Sequence, residues 1–555
     1  MSRFKFETKI CRDILYGNIV IPIKFLLHVI DKYEFQILGS RKQLGTIDMI
    51  YRSAHHTRFE HSLGVFELSK RFVTALLRQK GCFQVESFRL EKRISDLGFL
   101  KTEENLNVFL VSSLIHDIGN FPFCHQFEGT LGVEVPNSEQ VGSMIIRGVL
   151  KGWPFMDDND LERLQLRNRR GILADIINSR SKDDLLSPFE VFVKRVINGP
   201  YGIDFLDYVY RDAFQCTLRE RSLADFLVDH ALVLCPKSSN QTTYQLAFSH
   251  HVLHELRSLA QLRLDLERKV YSNKTHRIIT SMLLRAIEVA SEDAEINLGE
   301  LHMYTDEGLL SHLKECSRSK KFIESIRSRR LYEIVHRFDS LKPGVDPIVR
   351  RALEIWGKQQ LNELRKRIGE SLGDVGIDEE HILLSFPSSE YRTCKEGEVL
   401  VANLETEQVD YLSDLEKYWI EEYQREYRDL SKYLVLLSED AKVDKKKVSD
   451  VINSNFVEWV RDIHGIKRLT VKVITDKVEM LSPTQTKILG LLLGKAYTAS
   501  QLGIKMHRTR STISYHLNGL RRIGFVEEFK RGRQKAFTIS PQYEPYIKKK
   551  LNMID

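Results

Sequence analysis

No window of this 555-residue sequence approaches the roughly 18 consecutive apolar residues that a membrane-spanning helix requires, so no membrane partner is expected. The first residues, MSRFKFETKICRDILYG, hold no apolar stretch long enough for a secretory signal. The seven cysteines are scattered, odd in number and never arranged as CxxC. That pattern excludes a disulfide framework and a zinc knuckle, and it suits a reducing cytoplasm, the compartment expected. Internal repeats and low-complexity tracts are absent too. What remains is ordinary for a globular protein, with 42% hydrophobic and 29% charged residues. A chain of this length exceeds one simple core, so two to four domains are expected.

The net charge of +7 is unevenly placed. From Leu481 to Asp555 there are 14 Lys and Arg against 4 Asp and Glu, so this end carries +10 and the first 480 residues sum to −3. A basic end on a nearly neutral body points to an anionic partner for that end alone.

The expected fold class is mainly α, in three parts. Residues 1–374 read as helical, with amphipathic segments such as HSLGVFELSKRFVTALLRQ and NKTHRIITSMLLRAIEVASE. In the first of these, Leu63, Phe66, Leu68, Val73 and Leu76 form the expected inner face. Residues 375–475 read as a small α+β section. There HILLSFPSSEYR, EGEVLVANLE and KRLTVKVITD are strands around a helical LEKYWIEEYQREYRDLSKYLVLL, and SEDAKVDKKKVSDVIN is charged surface.

Residues 476–555 form a third unit. Ser482 is an expected N-cap with Pro483 in the first helical position. TASQLGIKM and HRTRSTISYHLNGLRRIGF follow as two more helices, and VEEFKRGRQKAFTIS as two strands around a basic tip. This order resembles a winged helix-turn-helix of the small bacterial and archaeal regulator type. The resemblance implies a third helix in the major groove, with Arg508, Arg510, Ser511, Ser514, Tyr515 and His516 near its exposed start. Lys530, Arg531 and Arg533 on the wing would meet phosphates. A protein-binding winged helix is the alternative, and the +10 charge favours DNA.

The chemistry lies earlier. SSLIHDIGNFPFCHQFE, at 112–128, places His116 and Asp117 side by side at the end of an apolar run. Alone, such a pair is ordinarily a solvated helix end. SAHHTRFEHSLGV adds His61, and NGPYGIDFLDYVYRDAF adds Asp204, Asp207 and Asp212. His61, His116, Asp117 and Asp204 together offer two imidazoles and two carboxylates, donors that suit Mn, Fe or Zn and select Mg or Ni less clearly. Four protein ligands on an octahedral ion leave positions for a water and a phosphate oxygen, as phosphoester hydrolysis requires. Asp207 shares a helical face with Asp204, and capping or pairing with an arginine suits it better than ligation.

Six blocks then stand in order: DILYG at 13–17, FQILGSRKQLG at 35–45, HTRFEHSLG at 56–64, HDIGNFPFCHQFE at 116–128, IDFLDYVYRD at 203–212 and LRLDLERKVYSNK at 262–274. In these the chain resembles the HD-domain superfamily, and within it the deoxynucleoside triphosphate triphosphohydrolases. The resemblance implies a helical HD domain over 1–374, a divalent metal ion (Mn, Fe, Mg or Zn) on His61, His116, Asp117 and Asp204, and a homo-oligomer. It implies that Gln43, Arg58, Tyr208, Asp212, Arg263, Tyr271 and Lys274 grip the triphosphate and sugar, and that His125, partnered by Glu128, handles proton transfer.

Departures from the family pattern stand beside the matches. Asn120 and Ser138 occupy places usually held by histidine, Glu128 replaces an aspartate, and Phe205 replaces a lysine after the last expected ligand. Ile37 and Gly39 stand where family members carry arginines for guanine-nucleotide activation, so that activation is not carried over. Asparagine and serine cannot supply a proton at neutral pH as imidazole can. The expected function is metal-dependent hydrolysis of nucleotides, foremost dNTPs to deoxynucleoside and triphosphate, coupled to DNA binding. The alternative is a nucleotide-sensing DNA-binding regulator with a catalytically weak HD domain.

Overall fold

The structure, a computed structural model, describes residues 7–539 except 80–81, 87–88, 96–99, 101, 124–135, 151–152, 154, 180, 219–221, 237–243, 340–348, 350–351, 354–355, 357, 374–376, 378, 387–395, 431, 442, 464–482, 494, 507, 524 and 532–533. The fold is mainly helical, with small sheets and a C-terminal winged helix. Among the described residues, no helix is long and apolar enough to cross a membrane.

The chain opens with a hairpin of β1 (Thr8–Asp13) and β2 (Gly17–Pro22), paired in register from Thr8–Pro22 to Asp13–Gly17. The helix Arg58–Gln79 then buries Leu63, Phe66, Leu68, Val73 and Leu76, the inner face expected from its spacing. The helix Glu103–Ile115 is buried from Asn107 to its end, where apolar residues face several sides. Ser187 caps the helix Pro188–Asn198 through a reciprocal bond with Glu190, and the helix Ile203–Gln215 follows directly. Asn273 caps the expected helix Lys274–Glu292.

Strands are more numerous in this region than its helical periodicity suggests. β3 (Cys82–Glu86), β4 (Arg89–Ser95), β5 (Ala231–Pro236) and β6 (Gln245–Ser249) all precede residue 375, as does β7 (Glu333–Asp339). Of the later strands, β9 (Leu400–Asn403), β10 (Gln408–Tyr411) and β11 (Lys432–Leu437) pair with β6, β4 and β7, and β8 (Ile382–Ser385) pairs with β11. A closed barrel runs β10-β4-β3-β5-β6-β9, filled by Leu232, Leu234, Ala247, Ala402 and Val409. A three-stranded sheet runs β7-β11-β8.

The division into domains therefore differs from the three-part reading. One compact unit comprises Met1–Asp339, Gly357–Gln359 and Leu372–Ser449; the other comprises Ser340–Trp356, Gln360–Ser371 and Asp450–Asp555. The section at 375–475 does not stand apart, because a strand leaves its backbone groups unpaired unless a neighbour accepts them. β9 finds its neighbour in β6, and β11 in β7.

Two further differences have local causes. KYLVLL, read as the end of a helix, is the central strand β11: five consecutive buried residues from Tyr433 suit a strand covered on both faces. The charged segment from Lys445 opens the helix Lys445–Ile463, whose Val448, Ile452, Phe456 and Val460 are buried at helical spacing. The strand expected in KRLTVKVITD lies outside the described residues.

In the second unit the helices Pro483–Leu492, Ala499–Met506 and Arg510–Ile523 precede β13 (Val526–Arg531) and β14 (Gln534–Ile539), with β12 (Tyr497–Thr498) paired to β14. Ile488, Leu492, Leu502, Ile513, Leu517, Leu520 and Phe525 fill their common core.

Candidate metal centre and nucleotide site

Three separate stretches deliver His61, His116 and Asp204 to one place. At the start of the helix Arg58–Gln79, Glu60 accepts from the backbone N and hydroxyl of Thr57, so His61 falls in a well-capped first turn. His116 ends the apolar helix Glu103–Ile115, which carries it inward, and its Nδ1 donates to the Ser113 carbonyl at 2.9 Å. That bond leaves Nε2 facing the cluster. Asp204 lies in the first turn of the helix Ile203–Gln215, preceded by Tyr201 at φ 55° and by Gly202. A Cβ on Gly202 would fall 2.6 Å from the Ile197 carbonyl oxygen, so this approach requires glycine.

His61 Nε2 is 3.0 Å from Asp204 Oδ1 and 3.1 Å from His116 Nε2. One donor atom from each of the three residues lies within 4.8 Å of the others, a group able to hold a metal ion. Asp117 Oδ2 is 3.7 Å from Nε2 of both histidines and accepts from Arg58 Nη1 at 2.6 Å. His61 is wholly buried, whereas the Asp204 side chain is 31% exposed and forms the open side. Burial opposes a charge on His61, but hydrogen bonds to Asp204 and Asp207 outweigh it and push its pKa up to about 10. Burial likewise opposes charge on Asp204, yet His116 and His61 hold its carboxyl well below the usual range. Two imidazole nitrogens converging on carboxylates, in a place that attracts positive charge against the pull of burial, fit a divalent cation.

Asp207 faces the other side of His61, accepting from Nδ1 at 2.7 Å, and pairs with Arg211 through Nε at 2.8 Å and Nη2 at 3.0 Å. The i+4 spacing of Arg211 from Asp207 is a recognisable sequence signal for this pair. A Cβ on Gly64 would sit 2.0 Å from Asp207 Oδ1, so the glycine of HTRFEHSLG makes room for this pair.

Of the residues expected to grip nucleotide, Arg58 bonds Asp117 of the cluster, and Tyr208, Asp212, Arg263 and Tyr271 form a connected group. Lys42 and Thr57 form an antiparallel bridge, which sets buried Gln43 opposite His56 and Arg41 opposite buried Arg58. Asp204, Tyr208 and Asp212 recur every fourth residue on one helix. Asp212 accepts from His56 Nε2 at 2.8 Å and from Tyr271 Oη at 2.5 Å. Burial, then the Asp212 carboxylate, raise the Tyr271 phenol well above its ordinary pKa, so it stays a donor. The Arg263 guanidinium lies 4.9 Å from the Tyr271 ring centre and 5.6 Å from that of Tyr208, and Nη1 bonds Glu267 at 2.8 Å. Lys274 is exposed at the head of its helix. His56 and Glu267 were not singled out in the sequence.

His125 and Glu128 lie outside the described residues. Asn120 is 1% exposed, and among the described residues neither polar atom of its amide has a hydrogen-bond partner. Ser138 is close by, since a Cβ on Gly119 would fall 2.1 Å from the Ser138 carbonyl oxygen. The two departures from the histidine pattern thus flank one backbone contact.

In the winged helix, Arg508 and Arg510 are exposed at the start of the third helix, and His516 is half-buried on it. Ser511 and Tyr515 belong to the same helix, and Arg531 ends β13. Arg533 lies outside the described residues.

Comparison with known proteins agrees with this division of labour. Residues 256–455 match the family model described as HD associated region, and 482–528 match that of the bacterial regulatory protein arsR family. The chain is 23% identical to the deoxynucleoside triphosphate triphosphohydrolase SAMHD1 homolog of Dictyostelium discoideum, over 68% of each protein. The SAMHD1 triphosphohydrolase of Danio rerio is 24% identical over 63% of this chain and 59% of its own length. The human one is 23% identical over 67% and 57% respectively. The match thus spans between just over half and two thirds of these relatives. The chain has an HD-associated region, distant relatives among the SAMHD1 triphosphohydrolases over most of its length, and an ArsR-type helix-turn-helix towards its C-terminus.

Proposed function

We propose that the chain is a metal-dependent phosphohydrolase that splits deoxynucleoside triphosphates into deoxynucleoside and triphosphate, and that its winged helix binds DNA. The observation that carries the reading is the convergence of His61, His116 and Asp204, with Asp117 beside them, next to a group of cationic and aromatic side chains. His61, His116, Asp117 and Asp204 would hold the cation, which when bound supplies Lewis acidity and charge neutralisation at a phosphate. Arg58 keeps the Asp117 carboxylate turned inward. Asp207 fixes the His61 tautomer by taking its Nδ1 proton as a hydrogen bond, as partners of metal-binding histidines commonly do. Arg263, held by Glu267, contributes a fixed positive charge for a polyanionic substrate. Tyr208 and Tyr271 give flat apolar surface beside it, where a deoxyribose packs. The family resemblance gives His125, with Glu128, the role of proton donor to the leaving 5′-oxygen.

A second reading is a nucleotide-sensing regulator that binds without turnover. Asn120 favours it, because a carboxamide in a histidine's place cannot transfer a proton. A panel of nucleotides incubated with Mn(II), analysed for nucleoside, monophosphate, triphosphate and orthophosphate, separates the two. Deoxynucleoside with intact triphosphate supports the enzyme. Orthophosphate as main product places the chemistry elsewhere, and saturable binding with no product supports the sensor.

A further inference from the structure

The N-terminal hairpin reaches the metal cluster through a chain of buried charges. Asp13, at the end of β1, uses its two oxygens differently. Oδ1 accepts from the backbone N of Leu15 at 2.8 Å and of Tyr16 at 3.0 Å, shaping the turn that closes on Gly17 at φ 72°. Oδ2 accepts from Arg211 Nη1 at 2.8 Å. Arg211 spends its remaining donors on Asp207, and Asp207 accepts from His61. The side chains along this path are 4%, 1%, 0% and 0% exposed, so little water screens them. Seating is reinforced from the helix Arg58–Gln79, where Lys70 Nζ donates to the Val20 carbonyl at 2.7 Å and the Arg71 guanidinium lies 5.2 Å from the Tyr16 ring centre.

The charges have a direction. Asp13, Arg211 and Asp207 sum to one negative charge behind the His61 ring, which strengthens that imidazole as a donor to a cation on its other nitrogen. Without the Asp13 charge, Arg211 would draw on Asp207 alone and the pull on His61 would weaken. Without Arg211, two buried carboxylates would lose their cationic partner. Gly64 belongs to the same device, since any side chain there would displace Asp207 and Arg211.

We propose that Asp13, acting through Arg211 and Asp207, is a positioning residue of the metal site, so that the seating of the N-terminal hairpin sets how tightly the site holds its cation. The proposal rests on the metal reading of the cluster and is independent of which nucleotide is hydrolysed.

The test is the dissociation constant for Mn(II), measured on the full chain by competition with a chromophoric chelator. Asp13→Asn, three contacts behind the ligand, is expected to weaken binding about 10-fold, the lower end of the range for partners that bond a ligand directly. Gly64→Ala changes no charge and should shift the constant in the same direction. Arg211→Lys keeps the charge but cannot span both carboxylates, and should fall between. Excess Mn(II) should restore hydrolysis in Asp13→Asn with nucleotide KM unaltered. An Asp13→Asn protein with a lowered thermal midpoint and a wild-type Mn(II) constant overturns the proposal. If Asp13→Asn does not fold, wild-type constants in Arg211→Lys and Gly64→Ala overturn it equally. A wild-type chain that binds no Mn(II) instead removes the metal reading itself.

Discussion

Arg41 Nη1 donates to the carbonyl oxygen of Asn120 at 2.6 Å, and the rest of the same buried guanidinium bonds the carbonyls of His302 and Tyr304. One side chain thereby ties the loop after His116 and Asp117 to a segment far along the chain. Arg41→Met would leave those carbonyls without their charged donor in a dry interior. We expect a loss of about 3 kcal/mol in urea unfolding, and an unchanged midpoint would mean that backbone contacts suffice.

Removing a metal-facing group should be milder for the fold than for the ion. His61→Ala and Asp204→Ala should each abolish bound metal and hydrolysis while far-UV circular dichroism stays as in the parent. Stoichiometric metal in purified Asp204→Ala would show that the ligand set is drawn wrongly.

Asn120 and Ser138 lie on either side of the Gly119 contact, so both positions can be changed towards histidine together. If these residues limit turnover, the double substitution should raise the dNTP rate by about 10²-fold or more, the usual contribution of a general acid or base. A folded double variant with no gain would count against proton transfer as the missing step.

Acid should act on the fold through His276. Burial, then the adjacent Arg277, push its pKa down to about 3, from about 6.5 when unfolded. The ring, 2.9 Å from the Thr46 hydroxyl, is held neutral. Its contribution is complete above pH 6.5 and is lost as pH falls towards 3, because the unfolded chain takes up the proton first. Between pH 7 and 4 the loss is of the order of 3 kcal/mol. His276→Gln should flatten that part of the stability profile, and a profile parallel to the parent would locate the acid sensitivity elsewhere.

At the other end of the chain, truncation after residue 475 should remove DNA binding and leave metal content and nucleotide hydrolysis largely intact. Affinity of the full chain should fall with salt at a log-log slope of roughly −0.9 per phosphate contacted. Arg531→Ala with Arg533→Ala should weaken all sequences alike, whereas Arg510→Ala should alter preference. No affinity at low salt would reassign the winged helix to protein contacts.

Much of the site is legible in the sequence because histidine and aspartate are costly inside a core and stand out against apolar neighbours. His116 at the end of a hydrophobic helix is such a case. Gly64 and Arg211 are harder to read, since a glycine says nothing of what fills its vacant space and Arg211 resembles any surface arginine until Asp207 closes on it. In the fold, the helix Arg58–Gln79 and the winged helix follow from periodicity, and Ser482, the expected cap, lies outside the described residues. The barrel does not: β3 and β4 are short, and β3 pairs with a strand about 150 residues away. No local pattern encodes such a partner. KYLVLL was ambiguous for a related reason, since an unbroken apolar run suits a buried helix as well as a central strand.

The barrel also constrains how the protein can be made. β4 pairs with β10 and β6 with β9, so the ring that starts at Cys82 waits for residues near 400. At about 5 to 20 residues per second on the ribosome, a gap of roughly three hundred residues is a delay of about 15 to 60 s. Through that interval the barrel strands of a nascent chain have open edges, the condition in which strands pair with the wrong neighbours.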